Sequence, residues 1–509
     1  MGRVYEYEGK MTSAVYFDQK ITGLSYEEAR RAERPPIPTP GEVKTIHISA
    51  ICGKAMAPLA GLLVAKGYTV TGSDFQYAPP MSDVIDELGI AQRDFSVENV
   101  AQADLVVIGN ALGPDNVEAV AARELGKPYI SIAEALSIFV MGEQERVVVA
   151  GTHGKTTTTG LLIKLFLDAG VDPSFLVGGV VQGENTAYAT SAGQSFIIEG
   201  DEYDTAYFDK RPKFLHYGAK YLIVTSLELD HTDIYRDEED YFQAFKYLVE
   251  QMPEDGIVLL CADNAAASLK PHCRAQVITY GFSEEADLRV IHEGREKHLQ
   301  RLSFTQHGQA LGSLQTPLTG EYNCANITCA VGIAIANGLP FKSLAKTIST
   351  FTGMKKRQEL LANCAQKGIE LIDDYAHHPT AVAATLAGMR NRYGSDHRIL
   401  AIFEPRSNSS RRKSFENDYP ASFQQADYAL IKIPSFRHND DPENFMDAER
   451  VREMISDLGV PARLFETNEQ ILAFLREEIS PQDIMITMSN GHFDHIQDQI
   501  IEELELVRV

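Results

Sequence analysis

Long apolar runs are missing from this sequence, and cysteine is scarce. No stretch reaches the ~18 apolar residues of a membrane-spanning helix, and the amino-terminal region has acidic and polar residues where a signal peptide would have its apolar core. The six cysteines are scattered through 509 residues without the spacing of a metal site. These absences predict a soluble, cytoplasmic protein with buried free thiols and no disulfides.

Positive charge is also in short supply. Acidic residues number 71 and basic residues 47, which gives a formal net charge of −24. A surface with this balance repels nucleic acid and anionic membranes. We therefore expect neither as a partner and expect small-molecule substrates, with the arginine-rich stretch 406–413 as one local site for an anion.

The length of the chain predicts several domains. At about 150 residues per domain, a chain of 509 residues corresponds to about three domains. Residues 1–43 form a polar leader that ends in a proline-rich linker. After it, short β-branched runs alternate with helical stretches, which is typical of parallel sheets with crossover helices. We predict three consecutive α/β domains, at 44–143, 144–352 and 353–509.

The strand predictions locate where a site should form. They are 45–51, 68–71, 104–109 and 128–132, then 146–149, 195–199, 221–225 and 257–261, and finally 370–373, 398–403, 427–432 and 483–487. Residues 288–318 alternate polar and apolar side chains, which predicts a small antiparallel insertion, followed by a helix at 326–337. Ligands of open α/β sheets bind beyond the carboxyl ends of the strands, so polar residues there are the first candidates.

The strongest single signal is the segment A-G-T-H-G-K-T-T-T-T at 150–159, which follows an apolar strand and opens a helix. A glycine turn at a helix start directs main-chain N–H groups and the positive helix end at one point, where polyphosphate binds. Lys155 adds a positive charge, and the Thr156 hydroxyl is placed to join the shell of Mg²⁺. Val149 stands where the usual phosphate loop has its first glycine. We predict ATP as a substrate and Mg²⁺ as its metal.

Two strands of the second domain lead into acidic segments, E-G-D-E-Y-D at 199–204 and E-L-D-H-T-D at 228–233. Oxygen ligands suit Mg²⁺, and a nearby imidazole can complete a second metal site. Glu199 and His231 come immediately beyond buried strands and are the predicted ligands. Solvated acidic loops are the alternative for each carboxylate in these segments.

Further polar groups follow along the chain. Asn323 and Asn326 lie three apart near a predicted helix start, so that one can cap the helix while the other faces a ligand such as adenine. Capping alone is the alternative for Asn323. The basic triplet at 355–357 opens the third domain, and D-D-Y-A-H-H-P at 373–379 follows its first strand.

Together and in this order, the motifs G-T-x-G-K-T, E-x-D-E-x-D, D-H-x-D, N-x-x-N and D-D-Y-A-H-H-P resemble those of the Mur ligase family. This family comprises the ATP-dependent amide-forming enzymes of peptidoglycan synthesis. The resemblance implies a Rossmann-like UDP-binding domain, a central domain like those of P-loop ATPases, and a Rossmann-like carboxyl-terminal domain. It also implies that a carboxylate is activated as an acyl phosphate before an amine attacks it.

The resemblance assigns roles to individual residues. The residues implied in catalysis are Lys155, His231, Arg357 and His377. Those implied in ATP binding are Gly151, Thr152, Gly154, Lys155, Thr156, Thr157, Asn323, Asn326, Arg357 and Asp374. Those implied in binding a UDP-sugar are Cys52, Gly53, Met56, Ser73, Asp74, Asn110, His153 and Asn185. Those implied in binding a peptide are Tyr375, His377, His378, Arg406 and Asn408, and those implied in binding the metal are Thr156, Glu199 and His231.

Within the family, the segments at 45–56 and 404–408 are most similar to the murein-recycling branch, which joins the tripeptide L-Ala-γ-D-Glu-meso-diaminopimelate to UDP-N-acetylmuramate. The alternative is the L-alanine-adding branch, whose first turn is richer in glycine. Ala50 and Cys52 replace glycines of that turn, which restricts how closely the backbone can approach a diphosphate. A third hypothesis, from another class, is a nucleotide-binding regulatory module or motor that forms no amide.

Two further expectations concern Lys246 and the oligomeric state. Several Mur ligases carry a carbamylated lysine after the D-H motif, and Lys246 lies one residue out of register with it. A solvated lysine on a helix is the alternative. We expect a monomer or a weak homodimer.

Overall fold

The computed structural model describes residues 34–180, 186–231, 234–296, 299–436 and 442–509. These residues form three α/β units in chain order, each built on its own mainly parallel sheet. The predicted fold class is therefore confirmed. In the described part of the chain, no helix has both the length and the apolar character needed to cross a membrane.

The first unit contains a four-stranded parallel sheet. Its strands are β1 (Thr45–Ser49), β2 (Thr69–Ser73), β3 (Leu105–Ile108) and β4 (Tyr129–Ile130). Its helices are Met56–Ala65, Met81–Glu87, Val97–Ala101, Val117–Glu124 and Ile132–Ala135. The strand order is β2-β1-β3-β4. All four residues of β3 are buried, as expected for a strand covered on both faces by helices.

A buried carboxylate anchors the interior of this unit. Glu118 is completely buried and accepts hydrogen bonds from the Ser49 hydroxyl at 2.5 Å and the Ser73 hydroxyl at 2.6 Å. The Asn99 side-chain amide donates at 2.8 Å, and His47 Nε2 lies 3.2 Å from the same carboxylate. Burial would raise the pKa of Glu118, but His47 and the donors outweigh it and lower the pKa to about 2. The ionised carboxylate thus links β1, β2 and two helices.

The second unit contains a ten-stranded sheet. Its strands are β5 (Glu145–Ala150), β6 (Ser174–Leu176), β7 (Tyr188–Ala189), β8 (Ser195–Gly200), β11 (Tyr221–Val224), β12 (Ile257–Cys261), β13 (Gln276–Gly281), β14 (Leu288–Glu296), β15 (Leu299–Gln306) and β16 (Gln309–Thr316), with β9 (Asp204–Ala206) and β10 (Asp209–Pro212) forming a separate ribbon. Its helices are Lys155–Asp168, Glu238–Glu250, Glu321–Ala336 and Phe341–Thr350. The order is β16-β15-β14-β13-β12-β11-β5-β8-β6-β7. Strand β5, which leads into the phosphate loop, therefore lies between β11 and β8.

The predicted antiparallel insertion is present but not separate. Strands β14, β15 and β16 pair antiparallel, as expected. However, β14 also pairs parallel with β13, through Tyr280 with Leu288 and Gly281 with Arg289. The insertion is therefore an extension of the central sheet.

The third unit contains a seven-stranded sheet in the order β21-β20-β19-β22-β18-β17-β23. Its strands are β17 (Glu359–Cys364), β18 (Ile369–Asp374), β19 (Ile399–Phe403), β20 (Tyr428–Lys432), β21 (Ala462–Phe465), β22 (Ile484–Met488) and β23 (Val507–Arg508). Its helices are Pro379–Tyr393, Tyr419–Ser422, Ala448–Asp457, Asn468–Glu478 and Ile496–Glu503. Strands β17 and β23 are antiparallel and lie at one edge.

The buried apolar side chains are distributed unequally among the units. One continuous cluster runs from Val43, just before β1, to Met354, at the junction of the second and third units. The third unit has its own two clusters, one on each face of its sheet. The first two units are therefore joined by shared apolar packing, whereas the third is packed as a body of its own.

Candidate active site

The phosphate loop lies between the end of β5 and the helix Lys155–Asp168. Gly151 and Gly154 have φ values of 124° and 85°, which glycine adopts without strain. A Cβ atom at Gly154 would overlap the side-chain oxygen of Asn326. The helix Glu321–Ala336 thus closes on the loop at a point that only glycine can occupy.

Two amides of the predicted phosphate cradle are already used within the protein. The Thr152 N–H donates to the Ser226 carbonyl at 3.0 Å, and the His153 N–H donates to the Ser226 hydroxyl at 2.9 Å. The helix that follows has no side-chain cap. The N–H groups of its first turn, including those of Thr156 and Thr157, are the ones an anion can use.

Lys155 is held by the loop and by a carboxylate. Its ammonium donates to the Gly151 carbonyl at 2.6 Å and to the two Glu202 oxygens at 3.0 and 2.8 Å. Burial lowers the pKa of Lys155, but the negative charge of Glu202 outweighs burial and the net shift is upward. Lys155 is therefore a fixed cation beside the helix start.

His231 pairs with the same carboxylate. Its Nε2 lies 3.1 Å from Glu202 Oε1, and its φ of 54° is strained for a residue with a side chain. Burial lowers the pKa of His231, but Asp230 and Glu202 raise it to about 9. The imidazole is therefore protonated at neutral pH, and it could ligate a metal only after losing that proton.

Thr156 and Glu199 form the predicted oxygen pair. Thr156 Oγ1 donates to Glu199 Oε2 at 3.0 Å, and the Gly178 N–H donates to the other oxygen at 2.6 Å. Burial raises the pKa of Glu199, and the charge of Asp201 raises it further. A hydroxyl and a carboxylate oxygen suit Mg²⁺, and a cation there would offset the acidic charge.

The third unit reaches the loop through Arg357. Its guanidinium donates to Thr156 Oγ1 at 3.3 Å and lies 4.6 Å from the centre of the Tyr375 ring. Behind it, Asp374 accepts a hydrogen bond from the Gln358 N–H at 2.8 Å. Burial raises the pKa of Asp374 to about 6, although the positive charge of Arg357 opposes this shift. Residues far apart in the sequence thus meet at Thr156.

The two adjacent histidines differ in hydrogen bonding. His377 Nδ1 lies 3.0 Å from the Tyr375 carbonyl, which puts the ring proton on Nδ1 and leaves Nε2 as an acceptor. Burial lowers the pKa of His377 to about 4, so the ring is neutral. His378 instead caps the helix Pro379–Tyr393, because its Nδ1 accepts from the Thr380 N–H at 3.3 Å.

The predicted capping role of the asparagines is wrong. The helix begins at Glu321 with Gly320 as its N-cap, so both asparagines lie inside it. The Asn323 side-chain amide donates to the Thr319 carbonyl at 2.8 Å. The Asn326 amide donates to Asn323 Oδ1 at 3.3 Å. This chain of hydrogen bonds fixes Asn326 against the phosphate loop, and contact with adenine stays a prediction.

The first-unit residues expected to bind a nucleotide sugar divide into two groups. The Cys52 N–H donates to Asp74 Oδ2 at 2.9 Å, which ties the first turn to the end of β2. The helix Met56–Ala65 begins at Met56, one of the residues expected to bind the UDP-sugar, and has no side-chain cap. Ser73, by contrast, is fully buried and donates to Glu118. Its side chain faces the interior and its carbonyl accepts from the Ile51 N–H at 3.1 Å, so neither is turned toward a ligand.

The remaining residues expected at this ligand are dispersed. The Gly53 carbonyl accepts from the Met56 N–H at 3.0 Å, within the first turn. The Asn110 amide donates to Asp204 Oδ1 at 3.4 Å, between the first and second units. Asn185 lies outside the described residues.

Positive side chains gather where the first and third units approach each other. We call Lys54, Lys356 and Arg406 the cationic group; His492 lies beside it, with its pKa lowered by burial and by these charges. Lys356 Nζ donates to the Gly491 carbonyl at 2.9 Å, and a Cβ atom at Gly491 would overlap the Arg406 side chain. Desolvation lowers the pKa of Lys54, and the charges of Lys356 and Arg406 lower it further. Such a cluster, in a protein with a net charge of −24, favours an anion.

Two residues predicted in the third unit, Arg406 and Asn408, have contacts within that unit. Arg406 Nη1 is 3.8 Å from Glu404 Oε1, and Asn408 Oδ1 accepts from Arg411 at 3.2 Å. Lys246 lies in the helix Glu238–Glu250 and is half-buried.

Glu202 and His492 are the main residues that sequence reasoning missed. Glu202 is the second glutamate of the acidic segment E-G-D-E-Y-D at 199–204, and this motif was the one indication of it in the sequence. Only the turn after β8 shows that it reaches Lys155. His492 lies beside the cationic group through the packing of separate units, and no local pattern in the sequence indicates this.

Comparisons with known proteins agree along the chain. The profile of the Mur ligase family, catalytic domain, matches residues 45–143, that of the Mur ligase middle domain matches 149–334, and that of the Mur ligase, glutamate ligase domain, matches 356–491.

Named relatives fall into two groups. The Escherichia coli (strain K12) UDP-N-acetylmuramate–L-alanyl-gamma-D-glutamyl-meso-2,6-diaminoheptandioate ligase is 33% identical over 470 residues, covering 90% of this chain and 98% of that protein. The Desulfitobacterium hafniense (strain Y51) UDP-N-acetylmuramate–L-alanine ligase is 31% identical over 457 residues, covering 90% and 99%. The crystal structure of a murein peptide ligase from Psychrobacter arcticus is 27% identical with a TM-score of 0.66, covering 91% of this chain and 98% of that chain.

Proposed function

The chain belongs to the Mur ligase family of ATP-dependent amide-forming ligases, and from this premise we propose that it joins L-Ala-γ-D-Glu-meso-diaminopimelate to UDP-N-acetylmuramate in peptidoglycan recycling. The observation that carries the proposal is the meeting of Lys155, Thr156, Glu199 and Arg357 at one helix start, with the cationic group nearby. We keep the domain limits 44–143, 144–352 and 353–509 and a cytoplasmic location as parts of the proposal.

The first chemical step is activation of a carboxylate. A carboxylate oxygen is a poor leaving group, so the lactyl carboxylate attacks the γ-phosphorus of ATP to give an acyl phosphate and ADP. Lys155 and Arg357 supply positive charge on two sides of the helix start, which stabilises the charge of the transferring phosphoryl group. For this role, the Lys155 ammonium exchanges part of its contact with Glu202 for phosphate oxygens.

Thr156 and Glu199 are the residues that would hold Mg²⁺. Their donor atoms are both oxygens, and the raised pKa of Glu199 reflects acidic charge that a cation would offset. When bound, Mg²⁺ neutralises charge on the phosphate oxygens. His231 stays a proposed ligand that would first have to transfer its proton.

The second step is attack by the amine of the peptide on the acyl phosphate, which releases phosphate. The neutral His377 holds its proton on Nδ1, so Nε2 can accept a hydrogen bond from that amine. His377 therefore orients the amine, while its low pKa makes it a weak base. Tyr375 and Arg357, already in contact, position the third unit over the acyl phosphate.

The cationic group supports the tripeptide as the amino substrate. A tripeptide that ends in diaminopimelate carries several carboxylates, whereas L-alanine carries one. Arg406 can bind a carboxylate through two parallel hydrogen bonds, and the ammonium groups of Lys54 and Lys356 add positive charge. Like charges held close together repel one another, and an anion bound among them would offset this repulsion.

Competition between the two amino substrates tests this proposal. Purified protein is given UDP-N-acetylmuramate, ATP and Mg²⁺ with equal concentrations of tripeptide and L-alanine, and the products are separated by mass. We expect the tripeptide product to dominate. Dominance of the alanine product would replace the proposal with the L-alanine-adding activity. Phosphate release without any amide product would return the non-ligating nucleotide-binding module to consideration.

Substitution in the cationic group sharpens the result. Lys54→Gln should raise KM for the tripeptide while leaving KM for ATP unchanged. Lys66→Gln is the matched control, because Lys66 is an exposed lysine of the same unit. Equal effects of the two substitutions would exclude Lys54 from the peptide site.

A further inference from the structure

Three metal-ligating side chains converge beside the phosphate loop, apart from Thr156 and Glu199. His153, Glu228 and His378 each offer one ligand atom, and these atoms all lie within 4.8 Å of one another. His153 Nε2 is 3.1 Å from Glu228 Oε2, and the two imidazole centres are 5.1 Å apart.

The buried histidine has a nitrogen without a partner. His378 is 4% exposed, and its Nε2 makes no hydrogen bond to any residue that the structure describes. Burial lowers the pKa of His378, the charge of His153 lowers it further, and the charges of Asp230 and Glu228 only partly oppose this shift. Coordination through Nε2 would move the ring proton to Nδ1 and release the long 3.3 Å hydrogen bond from the Thr380 N–H. A metal ion at Nε2 would thereby replace that long hydrogen bond with a coordinate bond to a buried nitrogen that has no hydrogen-bond partner among the described residues.

The donor set selects the class of metal. Two imidazoles and one carboxylate suit Zn²⁺ and similar transition metals, whereas Mg²⁺ prefers oxygen ligands alone. The His153 and Glu228 side chains are 27% and 38% exposed, so an ion can enter and a water can complete a tetrahedral shell. The Thr380 hydroxyl donates to Glu228 and orients the carboxylate.

We propose that His153, Glu228 and His378 form a Zn²⁺ site that connects the phosphate loop to the third unit. His153 lies in the loop, Glu228 follows β11, and His378 begins the helix Pro379–Tyr393. The bound ion holds the third unit against the loop and occupies side chains at the centre of the cleft. Zn²⁺ is therefore an inhibitor that excess Mg²⁺ does not displace.

A second cluster serves as an internal contrast. Glu134, Asp209 and His216 are also close enough to share an ion. However, Arg211 donates to Asp209 at 2.9 Å, and Arg34 donates to Glu134 at 2.9 Å. These carboxylates are already neutralised by guanidinium groups, so we expect no metal there.

Direct metal binding tests the site without any turnover. The full chain is stripped of metal and titrated with ZnCl₂ against a chromophoric chelator in millimolar Mg²⁺. We expect one tightly bound Zn²⁺ per chain and a Zn²⁺-dependent rise in Tm. His153→Ala, Glu228→Gln and His378→Ala should each weaken binding by at least about 10-fold, and Thr380→Val by about 10-fold, because it removes the group that orients Glu228.

Two controls keep the outcome clear. His307→Ala removes a histidine with 66% exposure outside the cluster and should leave Zn²⁺ binding unchanged. Zinc X-ray absorption of the wild-type protein should show nitrogen and oxygen neighbours, whichever variants fold. Sulfur neighbours would assign the ion to the cysteines and overturn the proposal. Affinity that is equal in the wild type and the folded Glu228→Gln variant would also overturn it.

Discussion

Two buried carboxylates of the molecule, Glu118 and Glu199, have pKa values shifted in opposite directions. In the first unit, Glu118 is surrounded by hydroxyl, amide and imidazole groups, which lower its pKa to about 2. In the central cleft, Glu199 accepts from Thr156 and from one main-chain N–H, and burial with the charge of Asp201 raises its pKa. The charge of the first carboxylate is compensated by its neighbours, whereas that of the second is compensated only in part. Incomplete compensation therefore distinguishes the candidate site from the structural interior.

The backbone shows the same difference. Beside the cleft, His231 has a φ of 54° and is held by Glu202, whereas the strands around Glu118 have regular parallel pairing. Strained conformations of side-chain residues persist only where surrounding contacts impose them. Three substitutions test whether charged residues of the candidate site lower the stability of the fold while the buried carboxylate of the first unit raises it.

Lys155→Ala should have the largest effect. It removes the fixed cation at the helix start, so kcat should fall at least about 100-fold, while the fold is retained. Lys164→Ala is the control, because Lys164 lies on the same helix and pairs with Asp168 at 3.0 Å. Near-normal ligation by folded Lys155→Ala protein would remove the phosphate role of this lysine.

Glu118→Gln should mainly reduce stability. The substitution leaves hydroxyl donors without their charged acceptor, which costs about 1–3 kcal/mol. Hydrogen exchange of Thr45–Ser49 should become faster, with little change in the exchange of the third sheet. Glu98→Gln, at an exposed position of the same unit, is the control. The loss should also depend on pH in a defined direction.

The lowered pKa of Glu118 sets that direction. Its ionised form stabilises the folded state fully above its ordinary pKa of 4.5, and this contribution is lost as the pH falls through about 2. The stability difference between the wild type and Glu118→Gln should therefore shrink over this window. A difference that stays constant from pH 5 to pH 2 would contradict the shift.

Glu199→Gln should have the smallest effect on stability and the opposite sign. Because burial raises the pKa of Glu199, its ionised form opposes folding as the pH rises, and a neutral amide removes this penalty. The variant should therefore have a slightly higher Tm at pH 7 while losing ligation. Glu145→Gln, at an exposed residue of β5, should change neither. A lower Tm for Glu199→Gln would place Glu199 with Glu118 as a structural carboxylate.

The sequence predicted most of the parallel strands but missed some interior ones, among them β13 and β17. The prediction at 257–261 coincides with Ile257–Cys261, because β-branched residues and leucine fill a strand that is covered on both faces. Strand β17 was missed, since E-L-L-A-N-C has no strand pattern of its own and becomes extended by pairing with β18 and β23. The start of the helix Glu321–Ala336 was also missed, because Gly320 rather than an asparagine ends the preceding turn.

In the candidate site, too, some contacts could be expected from the sequence and others could not. Thr156 and Glu199 could be expected to meet, because they follow or end the neighbouring parallel strands β5 and β8. The pairing of Lys155 with Glu202 depends on a turn that has no local signal. The cationic group was foreseen only at Arg406, because Lys54 and the neighbouring His492 come from units whose relative placement is decided by tertiary packing.

The unequal distribution of apolar packing has an evolutionary consequence. One buried cluster unites the first two units, whereas the third has its own interior. Changes inside the third unit can therefore accumulate with little effect on the packing that the first two units share. If the third unit binds the amino substrate, as we propose, a lineage could in this way acquire a new one while inheriting the other two units intact.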